Sequence, residues 1–171
     1  MFEKECLNPL AATIEVTIKF FADRIDYQLI TGGSIDSAIL LKFLRVTYQE
    51  LYPQQTDYSH LESTVDRYLS PDTPLWFVTT STPTKIACLW LGIAIDQVNG
   101  IRHPNTFLIY VDPVHRRQGI ARALMQHAEL WAKEQGYTQI GLQVFTENQA
   151  AIDLYRQLGY QARSISMIRS L

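Results

Sequence analysis

"TFLIYVDPVHRRQGIARALMQHAELWAKEQG", residues 106–136, is where the hydrophobic pattern of this chain turns from strand to helix. Thr106 to Val111 is a short apolar run rich in β-branched and aromatic residues, the composition of a buried strand. Asp112 and Pro113 suit the turn that leaves it. Beyond them Ile120, Leu124, Ala128 and Trp131 recur at helical spacing, while Arg122, Gln126, Glu129 and Lys133 fall elsewhere on the wheel. Gly136 stands where a left-handed C-cap belongs. A strand therefore passes into an amphipathic helix of about five turns through the short loop "VHRRQG".

The first amides of a helix have no partner within it, and its aligned peptide dipoles make that end electropositive, so an anion is its natural guest. Gly119 has no side chain to block close approach and Ala121 is nearly as small. The amides from Arg117 to Ala121 can thus wrap a phosphate, with Arg116 and Arg117 as cationic donors beside it. The same residues also fit a plainer reading, surface arginines and a packing glycine at a helix start. Neither GxxxxGK[ST] nor GxGxxG occurs, so this is not one of those two phosphate loops.

Upstream, residues 13–20 alternate strictly between apolar and polar, which predicts a half-buried strand. Residues 27–31 predict a second strand, and "GGS" opens a helix over 35–51 that Pro53 closes. Ser59 and Glu62 stand at capping-box spacing ahead of a short helix ending near Leu69. Residues 75–80 and 86–95 predict an antiparallel strand pair buried at its centre. Downstream, residues 140–145 predict a strand, 148–158 a helix ended by Gly159, and 160–168 alternate again as a last strand. The whole reads as one α/β domain over residues 1–171, with an extra N-terminal strand inside residues 1–22.

Composition narrows the setting. Fifteen Lys and Arg against seventeen Asp and Glu give a net charge of −2, so no global field recruits nucleic acid or an anionic membrane. Cys6 and Cys88 form no CxxC, and His60, His103, His115 and His127 lack metal-ligand spacing, so no disulfide framework or metal site is expected. The opening "MFEKECLNPL" has no basic-then-apolar leader pattern, and a cytoplasmic location is the expectation.

Two segments in order carry a family resemblance. "FLIYVDPVHRRQGIARALMQHAELWAKEQGY" and "NQAAIDLYRQLGY" resemble the cofactor-binding core of the GNAT N-acetyltransferases, over residues 105–160. The family's first motif is Gln or Arg, two residues of any kind, Gly, one more, then Gly or Ala; Arg116, Gly119 and Ala121 fill its defined places. The resemblance implies a mixed, mostly antiparallel central sheet with a splayed parallel pair and flanking helices. It implies acetyl-CoA as cosubstrate, with no metal. Ile109, Tyr110 and Val111 would lie on the splayed strand whose backbone pairs with the pantetheine arm. Arg116, Arg117, Gln118, Gly119, Ile120 and Ala121 would hold the diphosphate, and Asn148 would bond the pantetheine or its neighbourhood. Tyr155 would be the catalytic acid that returns a proton to the leaving thiolate, and an amide near Val111 would face the oxyanion. Spacing alone favours Tyr155 as a core tyrosine and reads Asn148 as an N-cap; only the resemblance assigns them the cofactor roles.

The sequence departs from some relatives at the general base. Where those that acetylate protein N-termini carry a glutamate, this chain has Gln143, which has no useful basicity. Asp96, His103 and Glu147 read as solvated loop residues, and His127 as a solvated position beside the apolar stripe. The function implied is acetyl transfer from acetyl-CoA to a primary amine of a small molecule or peptide; separately, the alternating strand at residues 13–20 offers an exposed edge available for pairing into a homodimer. Two alternatives stay open: a catalytically inactive acyl-CoA-binding or sensory module, and a nucleotide-binding protein that uses Gly32, Gly33 and Ser34 as its phosphate loop.

Overall fold

The computed structural model describes residues 27–170. The strand expected at residues 13–20 lies outside them. Within them one five-stranded sheet runs in the order β1 (Gln28–Thr31), β2 (Leu75–Thr79), β3 (Lys85–Ile95), β4 (Arg102–Val111), β5 (Gly141–Leu142). The first three pairings are antiparallel and β4–β5 is parallel. Helices α1 (Ser37–Leu51) and α2 (His60–Tyr68) join β1 to β2, α3 (Ile120–Glu134) joins β4 to β5, and α4 (Gln149–Gln157) follows β5.

The sheet buries both faces. On one, Ile120, Ala123, Leu124, Met125 and Ala128 of α3, with Tyr155 of α4, pack on Val78, Ala87, Leu89 and Leu91. On the other, Leu40, Phe43 and Leu44 of α1 and Leu61 and Val65 of α2 cover Phe77, Cys88, Trp90, Leu108 and Tyr110. Central strands covered on both faces need near-continuous apolar runs, which is what β2 and β3 carry.

Two local devices shape β4. Trp90 pairs with Leu108 and Leu91 with Thr106, so Phe107 is an extra residue, a bulge that bends the strand. The Phe107 ring turns onto Trp90, and a Cβ at Gly92 would come within 2.2 Å of it, so glycine is required there. At the same point the parallel neighbour ends: β5 pairs only Asn105↔Gly141 and Thr106↔Leu142. Beyond Thr106 the two strands separate and β4 runs on to Val111 beside a gap.

Several expectations are corrected. β4 begins at Arg102, not Thr106, because Pro104 sits inside the strand opposite Ile93 and hides its start in the sequence. β5 is two residues long, not six, since the strands diverge after Leu142. Residues 160–168 form no strand with any of the described residues; alternation produces one only where a neighbouring edge accepts its hydrogen bonds. Ser59 makes no side-chain cap; its own amide donates to Asp57 at 2.8 Å, and Glu62 pairs with Arg45. His127 is not solvated: it packs edge-on against Trp76 with ring centroids 4.8 Å apart, and burial lowers its pKa.

Candidate active site

The loop from Asp112 to Gly119 is built in two steps. The Asp112 carboxylate accepts from the Val114 amide at 3.1 Å and opens a 3-10 turn at Pro113–His115. Then Arg117 takes φ 62° and Gly119 φ 86°, both left-handed, which turns the chain abruptly into α3. Glycine adopts that conformation freely; arginine at such a φ is strained by roughly 1 kcal/mol or more. Ala123 is the first residue to bond back into the helix, donating to Gly119 at 3.0 Å. The amides of Arg117 through Arg122 have no acceptor among the described residues. These unpaired N–H groups stand at the electropositive end of α3.

The side chains of the motif do something the sequence does not reveal. Arg116 donates through Nε to the Val111 carbonyl at 2.9 Å and through one terminal nitrogen to both carboxylate oxygens of Glu50, at 2.9 and 2.8 Å. It therefore ties the loop to β4 and to the last turn of α1. Arg117 is exposed at the surface. Gln118 is itself exposed, and its Oε1 accepts from the hydroxyl of the buried Tyr27 at 2.9 Å. Tyr27 and Glu50 are residues that sequence reasoning missed, because each is brought to the loop only by tertiary packing.

Beside the loop lies the gap. Asp112 donates to Ile86 of β3 at 2.8 Å, so by alternation the N–H and C=O of Val111 and Ile109 face away from β3, toward the opening. Tyr110 is placed differently: its backbone faces β3 opposite Cys88, and its ring stacks on Phe43 at 4.4 Å. Across the gap, the Asn148 side chain caps α4 by accepting from the Ala151 amide at 3.2 Å. Tyr155 is buried, 7% exposed, in the same apolar cluster as Ile120, Ile109 and Val111. Burial pushes its phenol up to about 12, so it holds its proton through the neutral range. The unpaired amides at the start of α3 and the end of β4 beyond its pairing with β5 thus lie beside one apolar cluster that also holds Tyr155.

The candidate bases lie elsewhere or are exposed. Asp96 is buried, not solvated, accepting from the Val98 and Asn99 amides at 2.8 and 3.3 Å and pairing with Arg163. The Val98 amide and Arg163 outweigh desolvation and hold its pKa low; it pins the β3–β4 turn. His103 lies in the first residues of β4, within 3.2 Å of Gln139. Gln143 and Glu147 are exposed. No group of described residues could hold a metal ion, and no described helix is long and apolar enough to cross a membrane.

Residues 39–160 match the acetyltransferase (GNAT) family. The chain belongs to that family. As a GNAT protein it is an acyl-CoA-dependent acetyltransferase, and curated relatives are named N-acetyltransferases. It is 35% identical over 106 residues to an aminoglycoside N(6')-acetyltransferase type 1 of Acinetobacter haemolyticus, covering 60% of this chain and 72% of that one. It is 41% identical over 74 residues to the [ribosomal protein bS18]-alanine N-acetyltransferase of Escherichia coli (strain K12), covering 43% of this chain and 49% of the relative. Among solved structures, an acetyl transferase from Pyrococcus furiosus superposes with a TM-score of 0.73 at 23% identity, over 85% of this chain and all of that one, and shares the fold.

Proposed function

We propose that this GNAT protein moves the acetyl group of acetyl-CoA directly to a primary amine in a ternary complex. The observation that carries the reading is the set of unpartnered amides from Arg117 to Ala121 next to the open edge of β4. The diphosphate would take those amides, and the pantetheine would extend along Ile109 and Val111 as an added strand, ending near Tyr155. The acceptor nitrogen attacks the acetyl carbonyl carbon and the new C–N bond forms as an oxyanion develops. The Val111 amide, directed into the gap, stabilises that oxyanion. The C–S bond then breaks and the Tyr155 hydroxyl gives its proton to the sulfur; the Tyr155 phenolate takes one back from solvent, and the positively charged acceptor nitrogen loses a proton to solvent. With glutamine at position 143, no protein carboxylate is assigned to that last step.

The acceptor class best supported is an aminoglycoside amine. The aminoglycoside relative is matched over most of its length, the alanine acetyltransferase over half. Release of CoA thiol tests the reading, with neamine and with a peptide beginning in alanine offered in turn. Turnover with neamine is expected; CoA binding without transfer to either would favour an inactive binding module. Tyr155→Phe should lower kcat by about a hundredfold or more while the Kd for CoA stays within about twofold. Equal loss of both, or of neither, would make Tyr155 a packing residue. Because the phenol pKa is raised to about 12, wild-type rate should climb with pH as the acceptor amine deprotonates and show no downturn from Tyr155 below that value.

A further inference from the structure

The strained turn at Arg117 is flanked on both sides by side chains that reach back into the protein. On its N-terminal side Arg116 holds Glu50 and the Val111 carbonyl; both of these side chains are about two-fifths exposed, where an ion pair contributes little. The other anchor is buried. Tyr27, just ahead of β1 at the far side of the sheet, is 7% exposed and packs in the core beneath the loop. Its hydroxyl donates to Gln118 Oε1 at 2.9 Å and lies 3.1 Å from His115 Nδ1, with the two rings edge to face at 6.0 Å. A hydroxyl has one proton, so having given it to Gln118 it accepts from His115 Nδ1–H. Gln118 Nε2 faces the Val114 carbonyl at 3.5 Å, which sets the amide's orientation. One oxygen thus bonds the residues two before and one after Arg117. A left-handed arginine persists only where its surroundings hold it, and this arginine begins the run of unpaired amides.

We propose that Tyr27 is a positioning residue for the cofactor's diphosphate: through His115 and Gln118 it holds the loop in the conformation that leaves the Arg117–Ala121 amides unpaired at the start of α3. The proposal rests on reading that loop as the coenzyme A cradle. Tyr27 touches no reacting atom, so its removal should act on cofactor affinity and not on the chemical step. Burial raises its pKa, so the hydroxyl remains a donor at neutral and mildly alkaline pH.

Calorimetric titration with CoA and steady-state kinetics with acetyl-CoA test this on the full chain. Tyr27→Phe keeps the ring and removes the oxygen; it should raise the Kd for CoA and the KM for acetyl-CoA about five- to tenfold, with kcat at saturation within about twofold. Gln118→Ala, an exposed position, should weaken binding by a similar factor, and the double variant should bind no more weakly than the weaker single, because both remove one network. Should Tyr27→Phe fail to fold, Gln118→Ala and Gln118→Leu carry the test alone. Unchanged affinity in folded variants, a fall in kcat at constant KM, or fully additive losses would overturn the proposal. A wild-type protein that binds no CoA would instead overturn the cradle reading, and this inference with it.

Discussion

Two glycine-bearing loops each lead from a strand into a helix in this protein, and only one is built to receive an anion. In the first, after β1, Gly32 donates to the Leu75 carbonyl at 2.7 Å, Gly33 to the Asp36 carboxylate at 3.0 Å, and Asp36 back to the Gly33 carbonyl at 2.9 Å. The Asp36 carboxylate is also paired with Lys85, whose ammonium lies over the Phe77 ring. The loop closes on itself and already holds a negative group of its own. In the second, from Arg117 to Gly119, the amides are free, the tying is done by side chains, and no carboxylate sits among them. Glycine content does not mark an anion site; unspent amides do. The reading of "TGGS" as a nucleotide loop fails on that ground.

Substitutions can break this contrast. Gly119→Glu should weaken CoA binding by about a hundredfold or more, near 3 kcal/mol, since it sets a carboxylate against the diphosphate and a side chain at φ 86°; the same change at Gly33 should leave the Kd unaltered. Equal effects would erase the distinction between the loops. In the first loop the damage should appear in stability. A Cβ at Gly32 would lie 2.5 Å from the fully buried Phe77 ring, so Gly32→Ala should destabilise by about 1–3 kcal/mol in denaturant titration, whereas Gly33, with open space around it, should accept alanine within about 0.5 kcal/mol. CoA affinity of the folded Gly32 variant should match wild type.

The smallest effect concerns Asp36. Burial alone would raise its pKa, but the bonds from Lys85 and the Gly33 amide outweigh burial, and the folded value lies below 3.8. A depressed carboxylate pKa contributes stability above the unfolded value, and that contribution is lost as pH falls through the folded value. Asp36→Asn should therefore destabilise by about 1 kcal/mol at pH 7, and the difference from wild type should shrink as the pH drops below 3.8. A difference that persists at the lowest pH would assign the stability to shape and not to the ion pair.

Much of this was legible from the residues. The apolar runs of β2 and β3, the stripe from Ile120 to Trp131, the C-terminal glycines and the Arg116-Gly119-Ala121 spacing each encode local geometry, and the structure has strands, a helix and turns at those places. What stayed hidden depends on partners far along the chain. Residues 160–168 alternate as well as many strands do, yet no edge among the described residues receives them, and Ile165, Met167 and Ile168 stand exposed. Nothing near Arg116 announces Glu50, sixty-six positions earlier, and nothing near Gln118 announces Tyr27, ninety-one positions earlier. Period specifies a face, while tertiary pairing decides what that face meets.

A titration of the 15N-labelled protein with CoA, followed amide by amide in 1H–15N correlation spectra, tests the contrast most directly. The resonances of Gly119, Ile120 and Ala121 should shift to saturation while those of Gly32 and Gly33 stay in place. Shifts confined to Gly32 and Gly33, or a saturated complex in which the amides at the start of α3 have not moved, would contradict it.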